Sequence, residues 1–580
     1  MIKNFNINGK SFVFEYCEDT SIDFTLKSEK DGISIYRVAF NWESPTAPKK
    51  VTLLYSVPCV DTYTMWDPIE KLRNLPFGER QTDSRLASGM PLKGVLSRSG
   101  NNRLLVSVSD LKSPIGLGIK AGIWSGNLEC SVNFFTMLTG PFANYEAEIR
   151  IDTRDIPFDS AVYDAREWFN ALGYKNAYVP QDAKFPMYST WYSYGQSVSE
   201  TAVIKECEKA VKLGMKAVIL DDGWQTDNLE SMYGYCGDWI PIKRKFPDMR
   251  AFCEKIHLLG MKVIVWFSVP FMGKYSKNCK RFNGKYLCYY DNSDCYALDP
   301  RYKEVREFLV KTYATAVKEW NLDGLKLDFI DRFKANGEYS SEMDFVSVEN
   351  AVEQLLQDIT VALKAINPDI LIEFRQPYFG PVVSAYGNMM RVWDCPLDGG
   401  TNKNQTINLR LVSGSCAVHS DMIYWSREDS PQSVALQLYG TVFSVPQISA
   451  RLDEITQEQG LVLKSYLNFW NEHRQTLTEG KLKVRFCENG YGYAESTVNG
   501  ETVAMLSAVT VFENTANAKT CYAINLTDSK EIILKLVDGQ DSTYSVFDCF
   551  GKEISWAKAD EKLSLISVPL GGMIKVTYHN

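Results

Sequence analysis

The stretch Leu322–Arg332 (LDGLKLDFIDR) has the pattern of a buried strand, because apolar residues lie on both sides of Lys326. Burying an unpaired carboxylate costs several kcal/mol, so a charged residue inside such a strand should be paired, hydrogen-bonded or facing a cavity. Lys326 and Asp328 are two residues apart on one strand face, which makes Lys326 the nearest candidate partner of Asp328. We therefore expect Asp328 to be a catalytic carboxylate at the mouth of a barrel.

Around this stretch the chain repeats the order strand, helix, glycine, strand. Ser199, for example, predicts the cap of a helix that runs to Leu213 and stops at Gly214. Such punctuation over 180–475 predicts a (β/α)8 barrel, although 376–388 leaves little room for a helix between the fifth and sixth strands. The eight candidate parallel strands lie near 187–192, 217–221, 262–267, 324–329, 370–374, 389–394, 422–425 and 445–448.

Period-two alternation of apolar and polar residues marks both flanks of the barrel. Before it, segments such as 103–108 predict an N-terminal β-sandwich over 1–173, which includes a linker helix near 160–172. After it, segments such as 573–578 predict a small C-terminal antiparallel β-sandwich over 476–580. The expected fold class is α/β, a TIM barrel between two β-sandwich domains.

Composition narrows the function classes. The 580 residues are 45% hydrophobic and 23% charged, which argues against disorder, and the net charge of −8 offers no basic stripe for nucleic acid. The first residues contain no apolar segment with a cleavage site, and no window of 18 apolar residues follows, so we expect a cytoplasmic protein without a membrane partner. The 14 cysteines include no CxxC pair and are interpreted as reduced thiols, although a secreted protein without its signal would look similar.

Polar and aromatic residues collect at the predicted C-terminal ends of the barrel strands. In a parallel barrel these ends carry the chemistry. Aromatic faces stack on pyranose rings while carboxylates accept hydrogen bonds from hydroxyl groups, so the set indicates a sugar site. In strand order the residues are Trp191, Asp221 and Asp222, Trp266, Lys326 and Asp328, Glu373 and Arg375, Arg391 and Asp394, and Asp421 with Trp425.

A metal site is the competing use of clustered carboxylates. Metal-dependent hydrolases usually supply imidazoles, and the four histidines include no pair at ligand spacing. No glycine-rich loop with a lysine at P-loop spacing follows a strand, which argues against a phosphate site. We expect neither a metal nor a cofactor.

With these residues in view, a family resemblance can be stated. The motifs Leu220–Gln225 (LDDGWQ), Gly237–Trp239 (GDW) with Lys245–Pro247 (KFP), Lys326–Asp328 (KLD) and Arg391–Asp394 (RVWD) with Asp398 occur in this order. They resemble the ordered motifs of the α-galactosidase clan, especially the melibiase-like glycoside hydrolase family 36. The likeness covers roughly 185–450, and the three-domain layout is similar as well.

The resemblance implies a role for each matching residue. It implies that Asp328 is the nucleophile of a retaining mechanism, that Lys326 binds the sugar and keeps Asp328 ionised, and that Asp394 is the acid/base. Asp394 then needs a raised pKa, and the two carboxyl groups must lie about 5–5.5 Å apart. The remaining substrate-binding candidates are Asp221 and Asp222 as hydroxyl ligands, Trp191 and Trp266 as pocket walls, Arg391 as a sugar ligand or acid-tuning residue, Arg375 and Asp398.

One stretch departs from the family pattern. A Cys-Ser-Gly-Gly-rich segment is common after the fifth strand, whereas this chain has Ile372–Tyr378 (IEFRQPY). That part of the pocket helps to define which sugar fits, so Arg375 puts plain galactose in doubt. Its guanidinium could accept a carboxylate or a sulfate, or simply pair with Glu373.

Structural interpretations stand beside the functional ones. Asp222-Gly223 is a common turn pair, and Lys326 with Asp328 could be a structural ion pair. Asp394 could pair with Arg391, which would leave Asp398 or Glu373 as the acid, and each tryptophan could be barrel packing. The convergence of pocket chemistry on separate strand ends favours function.

The hypothesis is therefore a retaining exo-α-glycosidase, chiefly an α-galactosidase acting on oligosaccharides. Three alternatives stay open: a same-site transglycosylase, a glycosidase for a related sugar (N-acetylgalactosamine, a pentose or a uronic acid), and a non-catalytic carbohydrate-binding protein. The resemblance also makes a homo-oligomer plausible.

Overall fold

The computed structural model describes residues 1–17, 20–69, 73–74, 78, 80–334, 339–488, 490–536, 541–559 and 561–579. These residues form two compact units. Unit 1 comprises Met1–Tyr178, Gln225–Ile242 and Trp266–Asn388, and unit 2 comprises Val179–Trp224, Lys243–Val265 and Met389–Asn580.

The chain begins with an antiparallel β-sandwich, which lies in unit 1. Its strands are β1 Ile2–Ile7, β2 Lys10–Glu15, β3 Ser21–Lys30, β4 Ile33–Thr46, β5 Val51–Pro58, β6 Thr64–Trp66, β7 Arg73–Asn74, β8 Arg80–Ser84, β9 Leu92–Leu96, β10 Asn102–Val108, β11 Ile115–Ala121, β12 Asn127–Phe134 and β13 Phe142–Asp152. One sheet has the order β1-β2-β5-β12-β11-β8 and the other β3-β4-β13-β10-β9-β6-β7. Alternate side chains of both sheets, Phe14, Phe40 and Leu53 among them, are fully buried and form the core.

The next strands build the barrel. They are β14 Met187–Ser189, β15 Ala217–Leu220, β16 Lys262–Ser268, β17 Phe271–Gly273, β18 Tyr286–Tyr290, β19 Cys295–Leu298, β20 Gly324–Asp328, β21 Leu371–Arg375, β22 Met389–Arg391, β23 Ala417–His419 and β24 Gln447–Ile448. Eight of them form a near-closed parallel sheet in the order β23-β22-β21-β20-β16-β15-β14-β24, and β17, β19 and β18 form a small antiparallel sheet. The predicted (β/α)8 barrel is confirmed.

The chain has ten α-helices among its described residues: the first precedes the barrel strands, the next seven lie between them, and the last two follow them. The ten helices are α1 Phe158–Ala171, α2 Trp191–Tyr194, α3 Glu200–Ala210, α4 Met249–Leu258, α5 Lys303–Trp320, α6 Val348–Ile366, α7 Gly399–Val412, α8 Pro431–Gly440, α9 Gln457–Glu472 and α10 Arg474–Glu479. The Ser199 side chain caps α3 by accepting a hydrogen bond from Ala202 N, as predicted. Between β21 and β22 the chain forms only a 3-10 turn, Val383–Ala385, which agrees with the shortage of room expected there.

One barrel strand differs from the prediction. The seventh was expected at 422–425, but the strand is β23, five residues earlier, and Met422 and Ile423 lie beyond its end. Met422, Ile423 and Trp425 are each at most 3% exposed, so this apolar run is buried without being part of the strand. Within the run only Ile423 pairs, through an isolated parallel bridge to Ile448 of β24, so burial and this single bridge account for the apolar pattern that suggested a strand.

The C-terminal β-sandwich lies in unit 2. Its strands are β25 Leu482–Cys487, β26 Gly490–Val498, β27 Glu501–Leu506, β28 Val511–Glu513, β29 Thr520–Asn525, β30 Glu531–Lys535, β31 Ser542–Phe547, β32 Glu553–Lys558, β33 Leu563–Ser567 and β34 Met573–Tyr578. They form sheets in the orders β25-β26-β27-β29-β34-β31-β32 and β28-β30-β33.

The predicted domain limits stay a prediction. Among the described residues, no helix is long and apolar enough to cross a membrane.

Candidate active site

Four charged side chains alternate along two neighbouring strands of unit 1. The parallel register pairs Gly324 with Leu371 and Lys326 with Glu373, so Lys326 and Asp328 share a face of β20. Glu373 and Arg375 share the matching face of β21. All four are buried, so their charges are poorly screened by water.

The carboxylate of Asp328 is held unevenly. Its Oδ1 accepts hydrogen bonds from Phe329 N at 2.8 Å, Arg375 Nε at 2.8 Å and the Tyr378 hydroxyl at 2.5 Å. Its Oδ2 accepts one from Trp266 Nε1 at 3.0 Å. Oδ1 is thus fixed from several sides, while Oδ2 is the oxygen with greater freedom to react.

These partners keep Asp328 ionised. Burial raises the pKa of the Asp328 carboxyl. The charges of Arg375 and Lys326, together with hydrogen bonds from Tyr378 and Trp266, lower it by more than burial raises it, so the pKa lies well below its usual range. Burial also raises the pKa of Tyr378 far above its ordinary value, so its hydroxyl stays a neutral donor. The sequence suggested Lys326 as a partner of Asp328, and its charge does act on that carboxylate; Arg375, which the sequence did not suggest as a partner, forms an ion pair with it.

Aromatic rings surround this carboxylate within unit 1. The ring of Trp266 stacks on Tyr233 with centroids 6.1 Å apart and meets Trp239 edge-on at 6.0 Å. Phe329, directly after Asp328, stacks on Phe271 at 4.8 Å. Its φ of 67° is a left-handed conformation that is unfavourable for a bulky residue, so the surrounding contacts hold it there.

The aspartate of the GDW motif has a structural role. Asp238 accepts hydrogen bonds from Ser276 Oγ at 2.7 Å, Lys277 N at 3.0 Å and Asn278 N at 3.2 Å. It thereby ties its own loop to the one that follows β17. The neighbouring Trp239 is positioned against Trp266 by this arrangement.

In unit 2, two adjacent carboxylates follow β15. Asp221 and Asp222 are 3% and 1% exposed. Asp221 N donates to Thr190 Oγ1 at 3.0 Å, and Asp222 N donates to Asp221 Oδ1 at 2.9 Å. Gln196 Nε2 donates to Asp222 Oδ2 at 2.7 Å, so both side chains have fixed orientations.

The next residue of that motif must be glycine. Gly223 has a φ of +113°, and a Cβ there would lie 2.5 Å from the Cα of Gln196. Lys245 of the KFP motif donates to Gln196 O at 2.6 Å and to Gly223 O at 2.9 Å. This lysine therefore joins the loops that carry Gln196 and Asp222.

A second ionic cluster of unit 2 follows β22. Arg391 is fully buried and donates from Nη2 to Asp394 Oδ1 at 2.9 Å and from Nη1 to Asp421 Oδ1. The Asp394 side chain is 44% exposed, whereas Asp421 is completely buried. Asp421 Oδ2 accepts from the Tyr192 hydroxyl at 2.9 Å and from Cys395 N at 2.7 Å. Burial raises the pKa of Asp421 to about 6, against the lowering effect of Arg391.

The remaining candidates lie in differing environments of unit 2. Asp398 is the N-cap of α7, and it accepts hydrogen bonds from Thr401 N at 2.9 Å and Thr401 Oγ1 at 2.6 Å. Trp191 begins α2 and is partly exposed, whereas Trp425 is 3% exposed. The roles predicted for all the site residues stay predictions. Among the described residues, no group of three or more histidine, cysteine or acidic side chains is placed to hold a metal ion.

Comparison with known proteins finds a family likeness for part of the chain. Residues 176–374 match the family model described as Melibiase, a segment that includes both Asp221-Asp222 and Asp328. This segment of the chain is thus similar to the melibiase family. The resemblance drawn from the motifs is thereby confirmed.

Two curated relatives show the same family likeness. The chain is 25% identical over 237 residues to alpha-galactosidase Mel36A of Lactobacillus acidophilus, covering 37% of this chain and 31% of that protein. It is 27% identical over 205 residues to alpha-galactosidase 2 of Pediococcus pentosaceus, covering 34% of this chain and 28% of that protein. The matched region thus spans about a third of the length of these curated relatives.

A solved structure extends the likeness of fold over nearly the whole chain. The alpha-galactosidase AgaA of Geobacillus stearothermophilus, in a variant complexed with raffinose, superposes with a TM-score of 0.67 and 13% identity. The match covers 98% of this chain and 83% of that one. At this identity the likeness concerns the fold.

Neither Tyr378 nor Tyr192 was predicted from the sequence as a site residue. Asp421 was noted only as a residue beside the seventh strand. Tyr378 lies 50 positions from Asp328, and no periodicity links a loop tyrosine to a distant carboxylate. Asp421 carried a detectable signal, because an acidic residue next to a buried barrel strand indicates that a basic partner lies nearby.

Proposed function

We propose that this chain is a retaining exo-α-glycosidase, and specifically an α-galactosidase that hydrolyses terminal α-galactosides of oligosaccharides. The observation that carries the proposal is Asp328: a buried carboxylate at a barrel strand end, held ionised by Arg375, with Oδ1 fixed and Oδ2 left for attack. The alpha-galactosidase relatives and the raffinose complex of the neighbouring structure support the choice of sugar.

In the first step, Asp328 Oδ2 attacks the anomeric carbon while Asp394 donates its proton to the leaving glycosidic oxygen. The bond between the anomeric carbon and that oxygen breaks, and a bond between the carbon and Oδ2 forms. The hydrogen bonds to Oδ1 hold the carboxylate in place as its charge is consumed. Asp394 suits the acid role because it is exposed enough to exchange protons with solvent.

In the second step, Asp394 removes a proton from water, which attacks the anomeric carbon and displaces Asp328. Two inversions at one carbon give net retention of configuration. Asp221 and Asp222 hold sugar hydroxyl groups, and their fixed orientations provide the geometric selection that sugar recognition requires.

Turnover of a panel of nitrophenyl α- and β-glycosides tests this proposal, with wild type compared with Asp328→Gly. We expect the α-galactoside to be cleaved with retention, and the variant to lose activity by several orders of magnitude. Sodium azide should restore turnover in the variant and yield the β-galactosyl azide, because the small anion fills the position of the missing carboxylate.

Each alternative predicts another outcome. Cleavage of a different α-glycoside would keep the mechanism and move the specificity question to Arg375. Transfer of galactose to an added sugar instead of water would identify a transglycosylase. Sugar binding without turnover in wild type, unchanged in the variant, would refute the enzyme and favour a binding protein.

A further inference from the structure

Arg391 links two carboxylates that differ sharply in exposure. It contacts Asp394, whose side chain is 44% exposed, and Asp421, which is completely buried. The arginine is itself buried, so water screens its charge poorly and the charge acts on both carboxylates.

We infer that Asp421 is a positioning residue that keeps Asp394 able to hold a proton, because it neutralises the charge of Arg391. The inference rests on the proposed function, in which Asp394 is the general acid. An arginine beside a carboxyl group lowers the pKa of that group by about 1–3 units. A general acid needs a raised pKa, so this lowering works against the acid role of Asp394, and the second carboxylate on the same guanidinium opposes the lowering.

The hydrogen bonds of Asp421 suit its ionised form. Arg391 donates to Oδ1, while Tyr192 and Cys395 N donate to Oδ2. A proton on Asp421 would therefore face donors at both oxygens. Asn402 fixes the backbone, since its Oδ1 accepts from Asp421 N at 3.0 Å and its Nδ2 donates to Asp421 O at 3.1 Å.

Three other titratable groups beside this cluster, Tyr192, Cys395 and His419, are neutral near pH 7. Burial raises the pKa of Tyr192 on α2 and of Cys395 after β22 far above their ordinary values. Burial lowers the pKa of His419 on β23 to about 4. Asp398 acts electrostatically on Cys395 and is occupied with capping α7. Arg391 and Asp421 are the charges on which the inference about Asp394 depends.

The test is Asp421→Asn, which keeps the shape and removes the charge. We expect the basic limb of the kcat/KM profile to move to lower pH by about 1–2 units, because Arg391 now lowers the pKa of Asp394 alone. At pH 7 an α-galactoside with a poor leaving group, such as melibiose, should lose much more activity than a dinitrophenyl α-galactoside. Lowering the pH should restore it.

A matched control is Asp152→Asn in the N-terminal sandwich. Asp152 is likewise fully buried and pairs with arginines, Arg150 at 2.9 Å and Arg154 at 2.6 Å. This control should lower the melting temperature without moving the basic limb. Equal losses on both substrates in Asp421→Asn, with an unmoved limb, would mean that Asp421 only supports the structure, and would overturn the inference.

Two further measurements cover the remaining outcomes. If Asp421→Asn does not fold, Tyr192→Phe removes one donor, makes Asp421 easier to protonate, and should shift the limb in the same direction by less. If wild type cleaves no glycoside, the proposed function fails, and a carboxyl 13C NMR titration of Asp394, assigned by its loss in Asp394→Asn, decides the charge effect. A pKa of Asp394 that is unchanged in Asp421→Asn would refute it.

Discussion

Replacing Arg375 with methionine is expected to turn Asp328 from a stabilising carboxylate into a destabilising one. Arg375 and Asp328 are 8% and 5% exposed, and Nε lies 2.8 Å from Oδ1. Removing one partner of a buried ion pair costs about 3–5 kcal/mol. Since about 1 kcal/mol shifts the melting temperature of a 150–250-residue cooperative unit by about 2–4 °C, we expect a loss of at least about 6 °C near neutral pH.

The loss should depend on pH, with a sign fixed by linkage. In wild type the pKa of Asp328 is lowered in the folded state, so the ionised group adds stability above its unfolded pKa, and that stability is lost as the pH falls through the folded value. Without Arg375 the burial effect raises the folded pKa, and the ionised group then destabilises the protein. The difference in melting temperature should thus be larger at pH 8 than at pH 5.

Differential scanning calorimetry at several pH values, beside kcat/KM profiles, measures both effects. The acid limb of Arg375→Met should move upward, because Asp328 must be ionised to attack. A matched control is Arg301→Met, which breaks the buried pair with Asp299 at 2.7 Å and should lower stability without moving that limb. An equal loss at pH 5 and pH 8, with an unmoved acid limb, would refute this account of Arg375.

Three other substitutions test single contacts. Gly223→Ala should lower the melting temperature and raise KM, because its Cβ would lie 2.5 Å from Gln196 Cα at a left-handed φ; an unchanged melting temperature would contradict this. Asp398→Ala should lower the free energy of unfolding by about 1 kcal/mol, because α7 loses its N-cap. The control Ser430→Ala removes the N-cap of α8 and should cost a similar amount. A rise in KM in Asp398→Ala but not in Ser430→Ala would identify Asp398 as a sugar ligand. Trp266→Phe should reduce kcat while the fold persists, because Asp328 Oδ2 loses the donor that aims it, and unchanged kinetics would count against that role.

The sequence predicted the parts of this fold that repeat. The alternation of strands, helices and glycines was enough for the barrel, because each βα unit carries its own local signals. It was not enough for the seventh strand, since β23 is only three residues long and the longer apolar run at 422–425 is buried with a single bridge, from Ile423 to Ile448. Short strands offer too few residues for a period to be visible.

The candidate site was predictable where one strand carries the chemistry. Lys326 and Asp328 stood out because both charges lie within a single apolar run. The partners of Asp328 were not predictable, since Arg375 and Tyr378 lie 47 and 50 positions away and reach it only through folding. Pairing between distant side chains leaves no mark in local composition.

Because Arg391 pairs with both Asp394 and Asp421, the order in which these residues can be substituted is limited. Losing the arginine first would leave Asp421 buried with a negative charge and Asp394 beside it, which costs several kcal/mol. Losing Asp421 first leaves the arginine paired with Asp394, so the chain stays folded while its chemistry weakens. Homologous sequences that have drifted from this arrangement should therefore more often retain the arginine without the buried acid than the buried acid without the arginine.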